Sequence, residues 1–172
     1  MAVLSTKSVT KRFGGLVAVN SVDFELNKNE VVGIIGPNGA GKSTLFNCIT
    51  GVYEPTEGQV FFRDKEITGL KPYQIAPLGI ARTFQNIRLF KDMTAIENVM
   101  VGVHTRIKSN LLDVLFKLRR HREAEKAAKE KAEEMLRLTG LYKFKYSYAT
   151  SLPYGLQRRL EIARAIASDP EV

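Results

Sequence analysis

The sequence has few of the residues that build disulfides, metal centres and membrane spans. It contains a single cysteine, Cys48, so no internal disulfide is expected and a reducing compartment fits. Only His104 and His121 accompany it, which gives no basis for a metal site. Apolar runs such as residues 31–35 fall far short of the ~18 residues that a membrane-spanning helix needs. Residues 1–10 lack a charged start followed by a long apolar run, so no secretory signal is expected.

The composition is that of an ordinary folded domain. Of the 172 residues, 44% are hydrophobic and 26% charged, which suits one domain with a real core. Lys and Arg number 26 against 18 Asp and Glu, a net charge of +8. This excess favours an anionic partner, namely a nucleotide, a nucleic acid or an acidic membrane surface. A solvated, lysine-rich face would give the same excess, so charge alone decides nothing.

The first part of the chain predicts strands around one short helix. Apolar and acidic residues alternate over residues 22–26, as in an antiparallel strand with one wet face. Residues 31–35 are continuously apolar, which predicts a buried, parallel strand. Residues 42–50 predict a helix with Gly51 just past its end, and residues 59–62 predict another short strand.

The second part predicts helices. Thr94 and Glu97 have the spacing of a capping box, and an apolar helical stretch follows through Val103. Residues 111–138 are rich in helix-forming Lys, Arg, Glu and Ala. Two apolar stripes at helical spacing predict buried faces: Ala128, Ala132, Met135 and Leu136, and then Leu156, Leu160, Ala163 and Ala167. A nucleic-acid-binding helix is the alternative for this basic region, but no base-reading or aromatic partner supports it.

A phosphate-binding loop occupies residues 36–44, which match Gly-x-x-x-x-Gly-Lys-Ser/Thr. Glycines let the backbone curl around phosphate oxygens, and the start of the following helix adds positive potential. Lys42 would reach the β- and γ-phosphates, and the Ser43 hydroxyl would bind Mg²⁺. The predicted ATP-binding residues of this loop are Gly36, Asn38, Gly39, Ala40, Gly41, Lys42, Ser43 and Thr44.

The loop predicts nucleotide binding but not a reaction. A chance match in a chain of this size is on the order of 1%, given average glycine usage. The alternative of a glycine-rich turn without a ligand is therefore weak. Kinases, GTPases, helicases and transporters all use such loops, so the rest of the chain must decide between them.

Four segments, in this order, resemble the ATP-binding subunits of ABC transporters. Phe13 matches the aromatic residue that stacks on adenine in that family, although a core phenylalanine is the competing interpretation. The phosphate loop follows. Gln85, within Arg-Thr-Phe-Gln-Asn, matches the glutamine that contacts Mg²⁺ and the attacking water; a plain polar surface residue is its alternative. Residues 152–165 resemble the family signature at the start of a helix.

The signature departs from the family's usual Leu-Ser-Gly-Gly-Gln. The corresponding residues are Leu152, Pro153, Tyr154, Gly155 and Leu156. Pro153 has no hydroxyl and no N–H, so the usual serine contact with the γ-phosphate of a partner subunit cannot form there. Proline is tolerated in the first turn of a helix, so the fold need not suffer.

The Pro-Tyr-Gly variant and residues 85–90 together resemble one branch of the family, the ATP-binding subunits of high-affinity branched-chain amino acid importers. This implies ATP and Mg²⁺ as ligands, and a location at the cytoplasmic face of the inner membrane. It also implies a second, different ATPase subunit in a head-to-tail dimer, two membrane permeases and, indirectly, a substrate-binding protein. The implied permease contact consists of Asn86, Ile87, Arg88, Leu89 and Phe90.

The resemblance implies an α/β fold: a P-loop NTPase core with an antiparallel β subdomain and an inserted α-helical subdomain. We expect one incomplete ATP-binding domain: a β-rich core at 1–85, a helical subdomain at 86–150, and the signature and its helix at 151–168. The family's Asp-Glu pair and switch histidine would follow the signature beyond residue 172. Residues 1–172 are therefore expected to bind ATP without hydrolysing it, and to be poorly stable alone.

Two other functions stay open at this point. A non-catalytic nucleotide-binding module could pair with a complete ATPase. An ABC ATPase could instead serve another cargo, such as lipid or lipopolysaccharide export. The sequence after Val172 would test the non-catalytic module, since only a complete ATPase requires the Asp-Glu pair. Neighbouring genes would test the other cargo, since two permeases and a binding protein favour import.

Overall fold

The computed structural model describes residues 2–104 and 119–172, with the side chains of 119–121 left out. The chain divides into two compact units, one of residues 1–80 with Val172 and one of residues 81–171. The predicted helical residues 111–118 and the side chain of His121 lie outside the described part. No helix within that part is both long and apolar enough to cross a bilayer.

The first unit is built on a four-stranded antiparallel sheet with the order β2-β1-β3-β4. The strands are β1 (Ala2–Phe13), β2 (Leu16–Asn27), β3 (Glu57–Phe62) and β4 (Lys65–Glu66). In β2, residues 23 and 25 are exposed while Val22, Phe24 and Leu26 are half-buried, which confirms the predicted antiparallel strand. The predicted short strand at 59–62 is confirmed within β3.

One layer of apolar side chains lies between this sheet and helix α1 (Lys42–Ile49). The helix buries Leu45, Cys48 and Ile49, which confirms the predicted helix. Gly51 follows with φ +73°, and a Cβ there would lie 2.2 Å from the Leu70 carbonyl oxygen. The helix ends at this point because only glycine adopts that conformation in that space. A single helical turn, α2 (Pro72–Ile75), closes the unit.

The prediction of a buried strand at residues 31–35 is wrong. This segment is in no strand, and Val31 and Ile35 are 100% and 94% exposed. Ile34 alone packs partly against the core. The physical reason is pairing: none of the strand pairs among the described residues includes this segment. An apolar run forms a buried parallel strand only where neighbouring strands satisfy its backbone groups and cover its two faces.

The second unit is helical. It contains α3 (Ala95–His104), α4 (Arg119–Leu138) and α5 (Tyr154–Ala167), which pack on one another. Both predicted apolar stripes lie inside this unit, with only Leu156 left partly buried. Their burial confirms the 3.6-residue periodicity found in the sequence.

The capping box at the start of α3 is confirmed. The Thr94 N–H and hydroxyl both donate to Glu97 Oε2 at 2.7 Å, and the Glu97 N–H donates to Thr94 Oγ1 at 3.4 Å. The Thr94 hydroxyl, and after it the Thr94 N–H, lowers the pKa of Glu97. A lowered pKa means that this stabilisation is present above the ordinary glutamate pKa and is lost as pH falls through the folded-state value.

Thr94→Ala should lower the free energy of unfolding of the second unit by about 1 kcal/mol, the usual cost of removing an N-cap side chain. The reason is that the Glu97 N–H loses its partner and the Glu97 carboxylate loses a donor. Urea unfolding followed by circular dichroism would measure the change. Thr150→Ala, at an exposed threonine of the same unit, is the control and should change little. Equal losses in both variants would contradict a capping role.

Candidate nucleotide-binding site

The phosphate loop lies in the first unit and turns sharply into α1. The Ala40 N–H donates to the Pro37 carbonyl at 3.3 Å, and Gly41 stands at the helix N-cap with φ +80°. A Cβ on Gly41 would lie 2.1 Å from the Ala18 carbonyl oxygen of β2. Both the left-handed backbone and the close approach therefore require glycine at this position.

The side chains of the loop present a cation and a hydroxyl at the start of α1. Lys42 Nζ donates to the carbonyl oxygens of Gly36 at 2.6 Å and Pro37 at 2.7 Å, so it lies over the loop. Ser43 is exposed and Thr44 is half-buried in the first turn of the helix. An ammonium, a hydroxyl and helix N-terminal amides are the donor set that fits phosphate oxygens together with Mg²⁺.

Phe13 is a surface residue rather than part of the core. Its ring is 43% exposed and stands edge-to-face with Tyr53, with ring centroids 5.3 Å apart. Lys11 Nζ lies 5.2 Å from the Phe13 ring centroid. Packing of Phe13 in the hydrophobic core is thereby ruled out, and the ring is free to stack on a planar ligand.

Strand β2 links the aromatic pair to the phosphate loop. Phe13 pairs with Leu16 across the hairpin, and Gly41 approaches β2 two residues further on, at Ala18. Two residues of strand span about 7 Å. Phe13 and the phosphate loop therefore both lie close to the same short stretch of β2, residues 16–18.

Tyr53, which packs against Phe13, is not among the residues that the sequence predicted for the site. This residue follows α1 in a turn where the Val52 and Tyr53 N–H groups both donate to the Asn47 carbonyl. That turn brings its ring against Phe13. The available signal was an aromatic residue just after the phosphate-loop helix, but its contact with Phe13 depends on tertiary structure.

Gln85 and the signature lie in the second unit. Gln85 is exposed in a bend. Of residues 86–90, Asn86, Arg88 and Phe90 are exposed, while Ile87 and Leu89 are half-buried. The structure therefore groups the predicted site residues into two sets, Phe13 with the phosphate loop and Gln85 with the signature.

The signature helix begins without a side-chain cap. Pro153 is the N-cap of α5 and its carbonyl accepts the N–H groups of Leu156 and Gln157 at 2.8 and 3.0 Å. Leu152 is buried, while Tyr154 and Gly155 are exposed at the helix start. Proline fits here because an N-cap residue has extended backbone and needs no N–H donor of its own.

Cys48 adds no chemistry to the site. It lies on the buried face of α1, and burial raises the pKa of its thiol, an effect that Lys11 offsets in part. A raised pKa keeps the sulfur protonated and unreactive near neutral pH.

A family comparison decides between the P-loop classes. The family described as ABC transporter matches residues 19–172, most of the chain and all of the phosphate loop and signature. The chain belongs to the ABC transporter family.

Relatives of this chain are named as ATP-binding proteins of amino acid transport. It is 47% identical over 170 residues to the high-affinity branched-chain amino acid transport ATP-binding protein LivG of Escherichia coli (strain K12). It is also 47% identical over 170 residues to the corresponding protein BraF of Pseudomonas aeruginosa. A probable LivG of Methanocaldococcus jannaschii is 39% identical over 173 residues. These alignments cover 99–100% of this chain and 66–67% of the relatives, so the chain spans about two thirds of their length.

Solved structures show the same fold. A nucleotide-free ATP-binding cassette from an ABC transporter superposes with a TM-score of 0.80 at 37% identity, covering 99% of this chain and 66% of that one. The ADP conformation of an ABC transporter cassette gives 0.79 at 35% identity, with the same coverage. These superpositions confirm the α/β P-loop NTPase class, and the second structure shows that this fold holds a nucleotide.

Proposed function

We propose that this chain binds ATP with Mg²⁺ at the phosphate loop. We further propose that it serves as the ATP-binding subunit of an importer of branched-chain amino acids. The observation that carries the first part is the donor set at the start of α1, Lys42 with Ser43, and the exposed ring of Phe13 adds a surface for the base. The names of LivG and BraF support the second part.

Each residue has a role in this proposal. Lys42 would leave the carbonyls of Gly36 and Pro37 to hold the β- and γ-phosphates, and Ser43 would bind the metal. Phe13 would stack on adenine, with Tyr53 fixing the angle of its ring. Gln85 would meet the metal and the attacking water. Bound Mg²⁺ would neutralise charge on the phosphate oxygens.

The phosphate loop supplies the binding groups, so the chain is proposed to bind ATP on its own. Fluorescent-nucleotide titration would measure this binding. Binding confined to a mixture with a second ATPase would favour the non-catalytic partner function.

The proposed assembly is a head-to-tail pair with a second, different ATPase subunit, bound to two membrane permeases that receive amino acids from a substrate-binding protein. It would lie at the cytoplasmic face of the inner membrane, and residues 86–90 would meet the permeases. A solved ABC cassette that is 28% identical, dimeric and bound to ADP and Pi supports pairing. Uptake of labelled leucine into proteoliposomes would test the cargo. ATP-driven movement of lipid instead of leucine would favour the export alternative.

Phe13→Ala should weaken ATP binding by at least about 5-fold, because stacking of a base on an aromatic side chain contributes roughly 1–3 kcal/mol. The loss should be the same for ATP and ADP, since both carry adenine. Titration of each nucleotide would measure it. Tyr73→Ala, at another exposed aromatic residue of the first unit, is the matched control and should bind normally. A loss seen with ATP and not with ADP would contradict a role at the base.

A further inference from the structure

A buried carboxylate on the signature helix holds one residue of the loop that carries Gln85. Glu161 is 1% exposed. Its Oε1 accepts the Phe84 N–H at 3.2 Å, and its Oε2 accepts Arg158 Nη1 at 2.5 Å. The same Arg158 nitrogen donates to the Phe84 carbonyl. Helix α5 thus binds both backbone groups of the residue immediately before Gln85.

A second buried side chain does the same at the other end of this loop. Asn98 of α3 is fully buried, at 0% exposure. Its Oδ1 accepts the Phe90 N–H at 2.9 Å and its Nδ2 donates to the Phe90 carbonyl at 3.0 Å. Nδ2 also donates to the carbonyls of Met93 and Thr94, at 3.3 and 3.0 Å. Residues 84–90 are therefore fixed at both ends, by two different helices.

The middle of the loop is attached to α5 as well. Arg164 donates to the Arg88 carbonyl and lies 5.5 Å from the Phe90 ring centroid. The Arg88 guanidinium lies 4.6 Å from the Phe84 ring centroid. Burial lowers the pKa of Arg164, and Glu161 partly offsets that effect. Arg158, Glu161 and Arg164 recur every three residues, so they lie near one another along α5.

The hydrogen bonds of Glu161 and Asn98 are costly to break because both side chains are buried. Detaching the loop from α5 and α3 would leave the Glu161 carboxylate and the Asn98 amide buried without their backbone partners, which is strongly unfavourable. The loop can instead keep its contacts by moving together with the helix. Packed elements of this kind move as rigid bodies rather than bending gradually.

We propose that Glu161, Arg158 and Asn98 are positioning residues that fix residues 84–90 to the signature helix and to α3, which packs on it, so that any displacement of these helices reaches Arg88 and Phe90. The inference rests on the proposed function, in which residues 86–90 contact a permease. A signature helix displaced by nucleotide would then carry the permease-facing loop with it, with Gln85 at the point of attachment.

The test compares leucine uptake with ATP hydrolysis in proteoliposomes that hold the full chain, its partner ATPase, both permeases and the binding protein. Glu161→Gln and Arg158→Ala should lower the leucine taken up per ATP hydrolysed at least 5-fold. Arg158→Lys, which keeps a donor for both partners, should recover most of that ratio. Arg159→Ala is the matched control, since Arg159 is the exposed neighbour on the same helix. A merely structural role would lower uptake and hydrolysis together and leave the ratio unchanged.

Amide hydrogen exchange on the unmodified protein tests the proposal without any substitution. It therefore gives a result even if a variant fails to assemble with the other transporter subunits. The Phe84 and Phe90 amides should exchange as slowly as those of the middle of α5, although both lie in a loop. Fast exchange at these two amides beside a protected α5 would overturn the proposal, as would an unchanged uptake ratio in Glu161→Gln. Absence of ATP-driven leucine uptake with the unmodified chain would instead overturn the proposed function, so the two failures are distinguishable.

Discussion

Lys42→Ala is expected to weaken ATP binding about 100-fold, the largest effect on affinity of any single change in this chain. A hydrogen bond to a charged group contributes about 1.5–3 kcal/mol, and 2.7 kcal/mol corresponds to about 100-fold. Lys42 donates to the carbonyls of Gly36 and Pro37, so its ammonium already lies over the loop that would hold the phosphates. Replacing Lys42 removes the one positively charged side chain of residues 36–44.

The loss should grow with phosphate number, from AMP through ADP to ATP, because Lys42 is proposed to meet the terminal phosphates. Titration with the three nucleotides would measure this series. Lys28→Ala, at an exposed lysine of the same unit, serves as the control for net charge and should bind ATP normally. An affinity within threefold of normal for Lys42→Ala would contradict the proposed site. A thermal melt should show little change, because Lys42 is only half-buried and is not a core residue.

Local rules account for most of the helical unit. The capping box, the buried stripes of α4 and α5, and the proline at the start of α5 each depend on residues within four positions of one another. Such features follow from helix geometry alone. Residues 31–35 show the limit of this reasoning. Their apolar composition is the same in any fold, but whether they become a strand depends on distant partners.

Some residues of the candidate site and its surroundings could likewise be predicted from local sequence, and others could not. The phosphate loop could be predicted because its chemistry is carried by consecutive residues whose types are dictated by backbone shape. Tyr53 and Asn98 could not, because one meets Phe13 across 40 positions in sequence and the other is buried only through packing of α3. A polar residue within an apolar stripe gives no local sign of which backbone groups it will bind.

Gly102 sets how closely α3 and α5 approach, and Gly102→Ala is expected to destabilise the second unit by about 1–2 kcal/mol. A Cβ at this position would lie 2.2 Å from the Arg164 carbonyl oxygen and 3.3 Å from the Ala167 Cβ. Overpacking of a tight contact costs roughly 1–3 kcal/mol. In an open helix the same change would stabilise by about 0.5–1 kcal/mol, because alanine is the better helix former. A loss of stability in Gly102→Ala would therefore indicate a crowded contact between the helices, and a gain would indicate an open one.

Gly155→Ala provides the matched comparison in the same unit. Gly155 lies in the first turn of α5, and a Cβ there would meet nothing within 4 Å. Urea unfolding should show Gly155→Ala at or above the stability of the unmodified chain and Gly102→Ala below it. Because Asn98 lies one turn before Gly102 on α3 and Arg164 carries the crowded carbonyl, Gly102→Ala should also speed exchange of the Phe90 amide. Stabilisation by Gly102→Ala would mean that the helices have room to separate and that their close contact does not hold the loop.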